Sequence, residues 1–266
     1  MRTLTIDENE ISIAETFNEL SNDQLIAYVK NYYIMLPRFF WIKDDKHEVI
    51  SNDTYNALLH AQLINILKID EDTFQKFSAE DVVFLIDEMQ VISFLLEEST
   101  LTKNHFIKLK DKLIGPDDDF ADLTGEEYLW AEKFYLEYKE TRGVTKLNAM
   151  IACLYKTVNK KKEILPFEVK RISVIEKWIE QIEMYKKIAI LLFFEGCRNE
   201  IPELYPEMFR GKKSEDSDFK EVLLQVAKDG PFGEFDKVLK TNIHLIFSEL
   251  NRVSKEAIEF ERKNKI

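Results

Sequence analysis

Glycine and proline are scarce in this chain, which has only 7 Gly and 6 Pro among 266 residues. Proteins built from many short strands use more of both, because glycine and proline form the tight turns between strands. Long apolar runs are also missing. The longest extends from Ile188 to Phe194, whereas a bilayer-spanning helix needs about 20 apolar residues. The composition therefore predicts a mainly helical protein with no membrane-spanning segment.

Cysteine is nearly absent, since Cys153 and Cys197 are the only two. Both lie in apolar, helix-like surroundings, which predicts buried thiols in a reducing compartment. Two cysteines and four histidines do not make a standard structural zinc site without carboxylate ligands. The chain opens with an alternating polar stretch after Arg2 and shows no secretory signal. We therefore expect an intracellular protein.

Basic residues are fewer than acidic ones, since the chain has 37 Lys and Arg but 49 Asp and Glu, and its formal net charge is −12. Such a surface repels phosphate backbones, which argues against a general nucleic-acid binder. Two basic clusters depart from this pattern: Lys156 with Lys160–Lys162, and Arg210 with Lys212 and Lys213. Solvated loops are the favoured interpretation of both clusters, and a phosphate contact is the alternative.

The spacing of apolar residues predicts a multi-helix globular bundle with a small N-terminal β-hairpin, in which Leu4 and Ile6 pair with Ile11 and Ile13. Helix starts are indicated by three N-cap pairs: Ser21 with Gln24, Ser78 with Asp81, and Thr124 with Glu127. Helices are predicted over 53–67, 82–96, 145–158, 168–195 and 242–264, with a strand pair or irregular helix near Phe106 and an irregular segment over 196–213.

Domain organisation follows from the length and from the break at Gly115-Pro116. We predict one globular unit over residues 1–266. The alternative is a subdivision into an N-terminal helical part with the hairpin, residues 1–100, and a C-terminal helical part, residues 101–266.

The densest cluster of carboxylates lies at Asp117, Asp118, Asp119 and Asp122. Hard oxygen ligands suit calcium or magnesium, so Asp117, Asp119 and Asp122 are the candidate metal ligands. The spacing does not match an EF-hand loop, because Tyr128 stands where the twelfth-position glutamate belongs. The competing interpretation is a helix-entry loop whose carboxylates face the positive end of a helix dipole.

Other motifs of catalytic chemistry are incomplete. Pro116-Asp117 and Glu168-Val169-Lys170 match a nuclease signature in letters, but the second half opens a predicted helix. The segment 211–214 lacks the upstream glycine of a phosphate-binding loop, and Ser51 replaces the second histidine of a zinc-protease helix. We therefore predict no catalytic residue and no cofactor.

Two aromatic segments are candidate partner-binding sites. Phe39, Phe40 and Trp41 form either a core corner or an exposed binding patch. The second candidate comprises Pro202, Tyr205 and Phe209, within the segment predicted to be irregular.

Four segments carry a family resemblance: LTKN at 101–104, IGPDDDFADLTGEEYLWAEKFYLEY at 114–138, LNAMIACLYK at 147–156 and KIAILLFFEGCRNEIPELYPEMF at 187–209. In this order they resemble an uncharacterised group of proteins encoded beside the tail genes of tailed bacteriophages and prophages. The resemblance rests on hydrophobic pattern and a few turn residues, and that group has no catalytic motif to place on this chain.

The resemblance implies a non-enzymatic virion structural protein or tail-assembly factor that contacts other proteins, among them phage tail components. It would be found in the bacterial host cytoplasm or in the virion. Two alternatives come from other classes. One is a monomeric, host-directed adaptor that binds a protein partner, and the other is a metal-dependent hydrolase that uses the Asp117–Asp122 loop.

Overall fold

The computed structural model describes residues 1–6, 9–31, 52–210, 219–229 and 231–264. Within these ranges the chain is mainly α with short antiparallel strands, so the predicted fold class is confirmed. The helices are α1 (Asn22–Val29), α2 (Asn52–Leu67), α3 (Glu71–Phe74), α4 (Ala79–Val83), α5 (Gly125–Thr141), α6 (Val144–Leu154), α7 (Ile172–Ile179), α8 (Met184–Leu204), α9 (Phe219–Asp229), α10 (Phe235–Lys240) and α11 (Ile243–Asn264). The strands are β1 (Arg2–Ile6), β2 (Asn9–Ile13), β3 (Lys108–Leu109), β4 (Leu113–Ile114) and β5 (Lys156–Thr157).

The chain forms two compact units, and each is built from two separate stretches. Unit 1 contains residues 1–101 and 183–196, and unit 2 contains residues 102–182 and 197–266. Helix α8 therefore contributes its first part to unit 1 and its last part to unit 2. No helix among the described ranges is long and apolar enough to cross a membrane.

Unit 1 begins with the predicted hairpin, in which β1 and β2 pair antiparallel with Arg2 opposite Ile13. Helix α1 starts at the Ser21–Gln24 capping box, which the structure shows in both directions. Its inner face buries Leu25 and Val29 completely. The core of the unit is also aromatic, since the Phe17 and Tyr28 rings are buried and meet edge to face with centroids 5.5 Å apart.

Two glutamines are buried in unit 1, and the structure shows hydrogen bonds from the side chain of one of them. The amide nitrogen of Gln24 donates to the carbonyls of Asn65 and Ile66, at 3.2 and 3.4 Å. The side chain of Gln62 in α2 is 2 % exposed, yet neither amide atom has a hydrogen-bond partner within the described residues. A buried amide without partners loses its hydration and gains nothing in return.

Replacing Gln62 with methionine is expected to raise the free energy of unfolding by about 1–3 kcal/mol, since the unsatisfied amide is removed at nearly constant volume. Urea unfolding monitored by circular dichroism measures the change. Gln24→Met is the matched control and should lower stability, because that amide is hydrogen-bonded. A loss of stability in both variants would contradict the assignment of Gln62 as unsatisfied.

The centre of unit 2 is the hairpin of α5 and α6, against which α7 packs. Helix α6 is buried over its last eight residues, from Leu147 to Leu154. The Thr124–Glu127 capping box starts α5 as predicted. The residue that closes α5 in the left-handed conformation is Arg142, with φ of 52°, and the neighbouring Gly143 has a φ of −71°.

A small sheet and a buried loop lie beside this hairpin, and the sheet confirms the strand pair that was one of two predictions near Phe106. Strand β4 pairs antiparallel with both β3 and β5. The side chain of Asn104 organises the loop, since its Nδ2 donates to the carbonyl of Pro116 at 2.7 Å and its Oδ1 accepts from the amide of Phe106. The hydroxyl of Tyr155 donates to the carbonyl of Phe106 at 2.6 Å.

The prediction of one continuous amphipathic helix over 82–96 is wrong. Helix α4 ends at Val83, a π-helical turn covers Phe84–Glu88, and a 3₁₀ turn covers Ser93–Leu96. The break falls at Gln90, whose φ is 50°, and a right-handed helix cannot continue through that conformation. Leu85, Val91, Ile92 and Leu95 of this stretch are buried, but Phe84 and Leu96 are 54 % and 44 % exposed, so the apolar spacing did not mark one buried helix face.

The long helix predicted over 168–195 is also two helices, α7 and α8, separated at residues 180–183. Conversely, residues 196–204 were predicted to be irregular but are helical, because α8 continues through them. Pro202 lies inside its last turn. The helix persists there because Ile201 extends its buried face, with 4 % exposure. Helix α6 ends at Leu154, four residues before its predicted end, and β5 follows.

Candidate protein-binding surface

Helix α11 carries one apolar stripe whose two halves have different surroundings. Apolar residues alternate at three- and four-residue steps along it, which places them on one face of a helix. The members are Ile243, Ile246, Leu250, Val253, Ala257 and Phe260. Ile243 and Ile246 are fully buried in unit 2, whereas Val253 is 46 % exposed and Phe260 is 70 % exposed. We call the residues Leu250, Val253, Ala257 and Phe260 the α11 stripe.

The first turns of α11 are held firmly to the rest of unit 2. The backbone amide of Ile243 donates to the carbonyl of Leu123 at 2.9 Å, and Asn242 Nδ2 donates to the carbonyl of Ala121 at 2.7 Å. The ring of Phe247 meets the rings of Tyr128 and Phe219, with centroids 5.5 and 5.9 Å away. The helix is therefore rigidly mounted at its N-terminal end, while its stripe continues beyond the covered part.

The side of α11 that faces the end of α8 makes both aromatic and polar contacts, and the Tyr205 and Phe247 ring centroids lie 5.6 Å apart. Asn251 Oδ1 accepts hydrogen bonds from the amides of Glu207 and Met208, at 2.8 and 3.2 Å, in the 3₁₀ turn Pro206–Phe209. This contact caps the turn and fixes it against α11. Beyond this contact Val253, Ala257 and Phe260 of the α11 stripe are exposed, whereas Leu250 is half-buried.

Tyr205 and His244 form a second contact between the end of α8 and α11, which we call the α8–α11 clamp. The Tyr205 hydroxyl lies 2.8 Å from Nδ1 of His244, and Nε2 of His244 lies 2.5 Å from the carbonyl oxygen of Asp119. A carbonyl only accepts, so Nε2 carries the proton, and in the neutral ring Nδ1 accepts from the tyrosine hydroxyl. Burial raises the pKa of the Tyr205 hydroxyl. The pair therefore acts as a structural link between α8, α11 and the Asp119 loop.

The carboxylate of Glu200 lies near this clamp. Burial, together with the charges of Asp119 and Glu203, raises the pKa of the Glu200 carboxyl, and nearby His244 lowers it. The arrangement brings acidic groups together at the end of α8. Among the described residues, however, no group of three His, Cys, Asp or Glu side chains is placed so that it could hold a metal ion.

The carboxylates of the acidic loop differ in their contacts. Asp122 Oδ1 accepts from the backbone amide of Asp117 at 2.7 Å, and its Oδ2 lies 3.4 Å from Nζ of Lys156. Asp119 has an exposed side chain and a left-handed backbone, with φ of 56°. Of the candidate ligands, Asp122 therefore holds the loop before α5 through its side chain, and Asp117 takes part in this contact through its backbone amide.

The basic residue Lys156 is committed to a buried ion pair and does not form a free phosphate-binding patch with Lys160–Lys162. Its Nζ lies 3.2 Å from Oε1 of Glu127, whose side chain is fully buried. The other carboxylate oxygen accepts from the amide and hydroxyl of Thr124, at 2.8 and 2.7 Å. Burial raises the pKa of the Glu127 carboxyl, and Lys156 opposes that shift.

The predicted partner-binding residues differ in how exposed they are in the structure. Pro202 is exposed, Phe209 is 43 % exposed, and Tyr205 is half-buried in its clamp with His244. The aromatic residues Phe39, Phe40 and Trp41 lie outside the described residues. Phe260 was not singled out from the sequence, although its position three residues beyond Ala257 in a regular stripe was a signal that could have identified it.

Comparisons with known proteins do not extend this description. No family model, curated protein or solved structure matches the chain.

Proposed function

We propose that this chain acts by binding another protein through the α11 stripe, as a non-enzymatic structural or assembly component of a tailed-bacteriophage particle. The observation that supports protein binding is the uncovered half of the stripe, where Phe260 is 70 % exposed on a firmly anchored helix. Large exposed apolar side chains in a row are typical of interaction sites. The phage context rests on the resemblance of residues 101–209 described above.

The contacts around the α8–α11 clamp also fit a binding role better than a catalytic one. The imidazole of His244 is held by a backbone carbonyl, and its other nitrogen is taken by Tyr205. Both hydrogen bonds bind segments of unit 2 together. They support a rigid platform for α11, which is what a docking helix requires, because a preorganised surface loses less entropy on binding.

Deletion of the coding sequence from the genome that carries it is expected to stop the production of normal tails. Induced lysates, examined by negative-stain electron microscopy and titred for infectious particles, measure the effect. A copy with wild-type sequence should restore the particles. A copy with Phe260→Glu should not, because a charge placed on the stripe opposes apolar docking.

Leu245→Glu is the matched control, since Leu245 lies on the same helix outside the stripe and is 57 % exposed. This variant should restore particles as the wild type does. Normal, infectious particles from the deletion strain would contradict the assembly role. A host protein bound through the stripe in that case would favour the adaptor alternative.

A further inference from the structure

Two hairpin tips of the small sheet in unit 2 lie side by side. The first tip, residues 110–112, joins β3 to β4. The second tip, residues 159–163, follows β5 and is closed by an antiparallel bridge between Val158 and Ile164. The backbone amide of Val158 donates to the carbonyl of Lys112 at 3.2 Å, and β5 runs antiparallel to β4, so both tips lie at the same end of the sheet. We call residues 110–112 and 159–163 together the lysine tips.

The lysine tips are basic, although the whole chain is acidic. Five of their eight residues are lysines, against the two acidic residues Asp111 and Glu163, in a chain whose net charge is −12. The lysine side chains are all exposed: Lys110, Lys112, Lys160, Lys161 and Lys162. None of these lysines forms an ion pair with a side chain that the structure describes. The tips therefore carry an excess of positive charge at the surface.

Charged groups near the tips leave this excess in place. Lys110 Nζ donates to Oε1 of Gln181 at 2.9 Å, and because this partner is uncharged the lysine keeps its full charge. Near Gln181, Lys177 and Glu180 add one charge of each sign. Lys156, which begins β5, is paired with buried and half-exposed carboxylates and is not part of the tips.

The second tip is held in one conformation by Asn159. Its Oδ1 accepts from the backbone amides of Lys161 and Glu163, at 2.8 and 3.0 Å, and its carbonyl accepts from the amide of Lys162 at 2.9 Å. Its Nδ2 donates to the carboxylate of Glu163 at 2.7 Å. The three consecutive lysines therefore lie on a preorganised loop, which loses less entropy when a partner binds.

Each tip also holds one lysine in the left-handed backbone conformation. The φ angle is 54° at Lys110 and 64° at Lys162. Glycine adopts this conformation without strain, whereas a residue with a Cβ does so at a cost. Residues other than glycine that are held in this way are concentrated at functional sites. Lysine at both positions therefore indicates a use for the charge outside the fold itself.

We propose that the lysine tips bind an acidic polypeptide segment of a partner protein. Nucleic acid fits them less well, because the tips contain neither an aromatic residue on which a base could stack nor an arginine. The rest of the chain is acidic and repels a phosphate backbone that extends beyond the tips. A short acidic segment meets the basic surface alone. The lysine tips share no residue with the α11 stripe, so this binding is independent of the proposed function.

Fluorescence anisotropy of a labelled, short polyglutamate peptide, titrated with the full chain, measures this binding. The wild type should bind at low salt and lose affinity as added salt screens the charges. Lys160→Gln combined with Lys161→Gln should weaken binding about fivefold or more, because two exposed charge pairs are lost. Lys255→Gln combined with Lys263→Gln removes the same charge from exposed positions of α11 and should bind as the wild type does. An equal loss in both double variants, or no binding by the wild type at low salt, would overturn the proposal.

Glycine variants separate binding from folding. Lys110→Gly combined with Lys162→Gly should weaken peptide binding, while the midpoint of thermal unfolding should not fall, because glycine relieves the strain at both positions. Unchanged peptide binding by this variant would overturn the proposal, whatever its stability.

A labelled single-stranded oligonucleotide of the same length as the peptide tests the other anionic ligand. It should bind less tightly than the peptide. Equal or tighter binding that is lost in the Lys160→Gln, Lys161→Gln variant would assign the tips to a phosphate ligand and overturn the proposal. Phe260→Glu should bind the peptide as the wild type does, so a failure of the lysine tips and a failure of the α11 stripe are observed separately.

Discussion

Lys156→Met is expected to lower the free energy of unfolding by about 3–5 kcal/mol at pH 7, the usual cost of leaving one partner of a buried ion pair alone. Glu127 is fully buried, and Lys156 is the cation that lies 3.2 Å from its Oε1. Within the part of the chain that the structure describes, that oxygen has no hydrogen bond of good geometry, so the charge of Lys156 is its main compensation. Chemical unfolding of the variant and the wild type measures the loss.

The loss should depend on pH in a defined direction. Burial already raises the pKa of Glu127 above its ordinary value of 4.5, and removal of Lys156 raises it further. The native variant then holds the Glu127 proton to higher pH than the unfolded chain does. Its stability relative to the wild type therefore falls as pH rises from about 4.5 through the native pKa, and recovers toward low pH.

Two controls separate this effect from a general loss of packing. Lys161→Met, in the exposed loop nearby, should change stability by no more than about 0.5 kcal/mol. Adding Glu127→Gln to Lys156→Met should restore part of the lost stability and remove the pH dependence. An equal loss at pH 5 and pH 7 for the single variant would contradict the buried-charge explanation.

Gly196→Ala is expected to destabilise unit 1 by about 3 kcal/mol or more, at the upper end of what overpacking costs. A Cβ at this position would lie 2.5 Å from the backbone nitrogen of Leu101 and 2.6 Å from its carbonyl carbon. Backbone atoms cannot turn aside as a flexible side chain can. The sign of this change in stability is informative, because alanine in the middle of a helix is otherwise favoured over glycine by about 1 kcal/mol.

Gly143→Ala is the matched comparison for this prediction. Its added Cβ would approach Thr141 Oγ1 at 3.2 Å and other side-chain atoms at 3.8 Å or more, and its φ of −71° suits alanine. Thermal unfolding of the two variants should show a large loss for Gly196→Ala and a small change for Gly143→Ala. Similar values would mean that α8 shifts away from Leu101 at little cost.

Local chemistry explains which parts of the fold were predictable. A capping box needs only residues three positions apart, so the Ser21, Ser78 and Thr124 starts were identified correctly. Helix ends depend on what the chain meets in space. The turn at Gln90 and the passage of α8 through Pro202 are decided by packing within each unit, which the apolar period alone does not contain.

For the candidate surface, too, the sequence predicted the local pattern but not the tertiary contacts. The spacing of α11 was evident in the sequence, and the helix was predicted to within one residue of its observed start. Which half of the stripe the rest of unit 2 covers is a property of tertiary structure, since Ile246 and Phe260 look alike in sequence. Tyr205 was identified as a candidate contact residue, but its partner His244 is 39 positions away along the chain.

The composition of unit 1 has a consequence for biosynthesis. Its core includes residues 183–196, where the carbonyl of Leu192 accepts a hydrogen bond from Ser99 at 2.8 Å. A ribosome delivers the chain from its N-terminus at about 5–20 residues per second. Unit 1 therefore cannot be completed until residues 102–182, which belong to unit 2, have been translated. During that interval the apolar faces of residues 1–101 lack their final cover, so this stretch of the nascent chain is the part that most needs a chaperone.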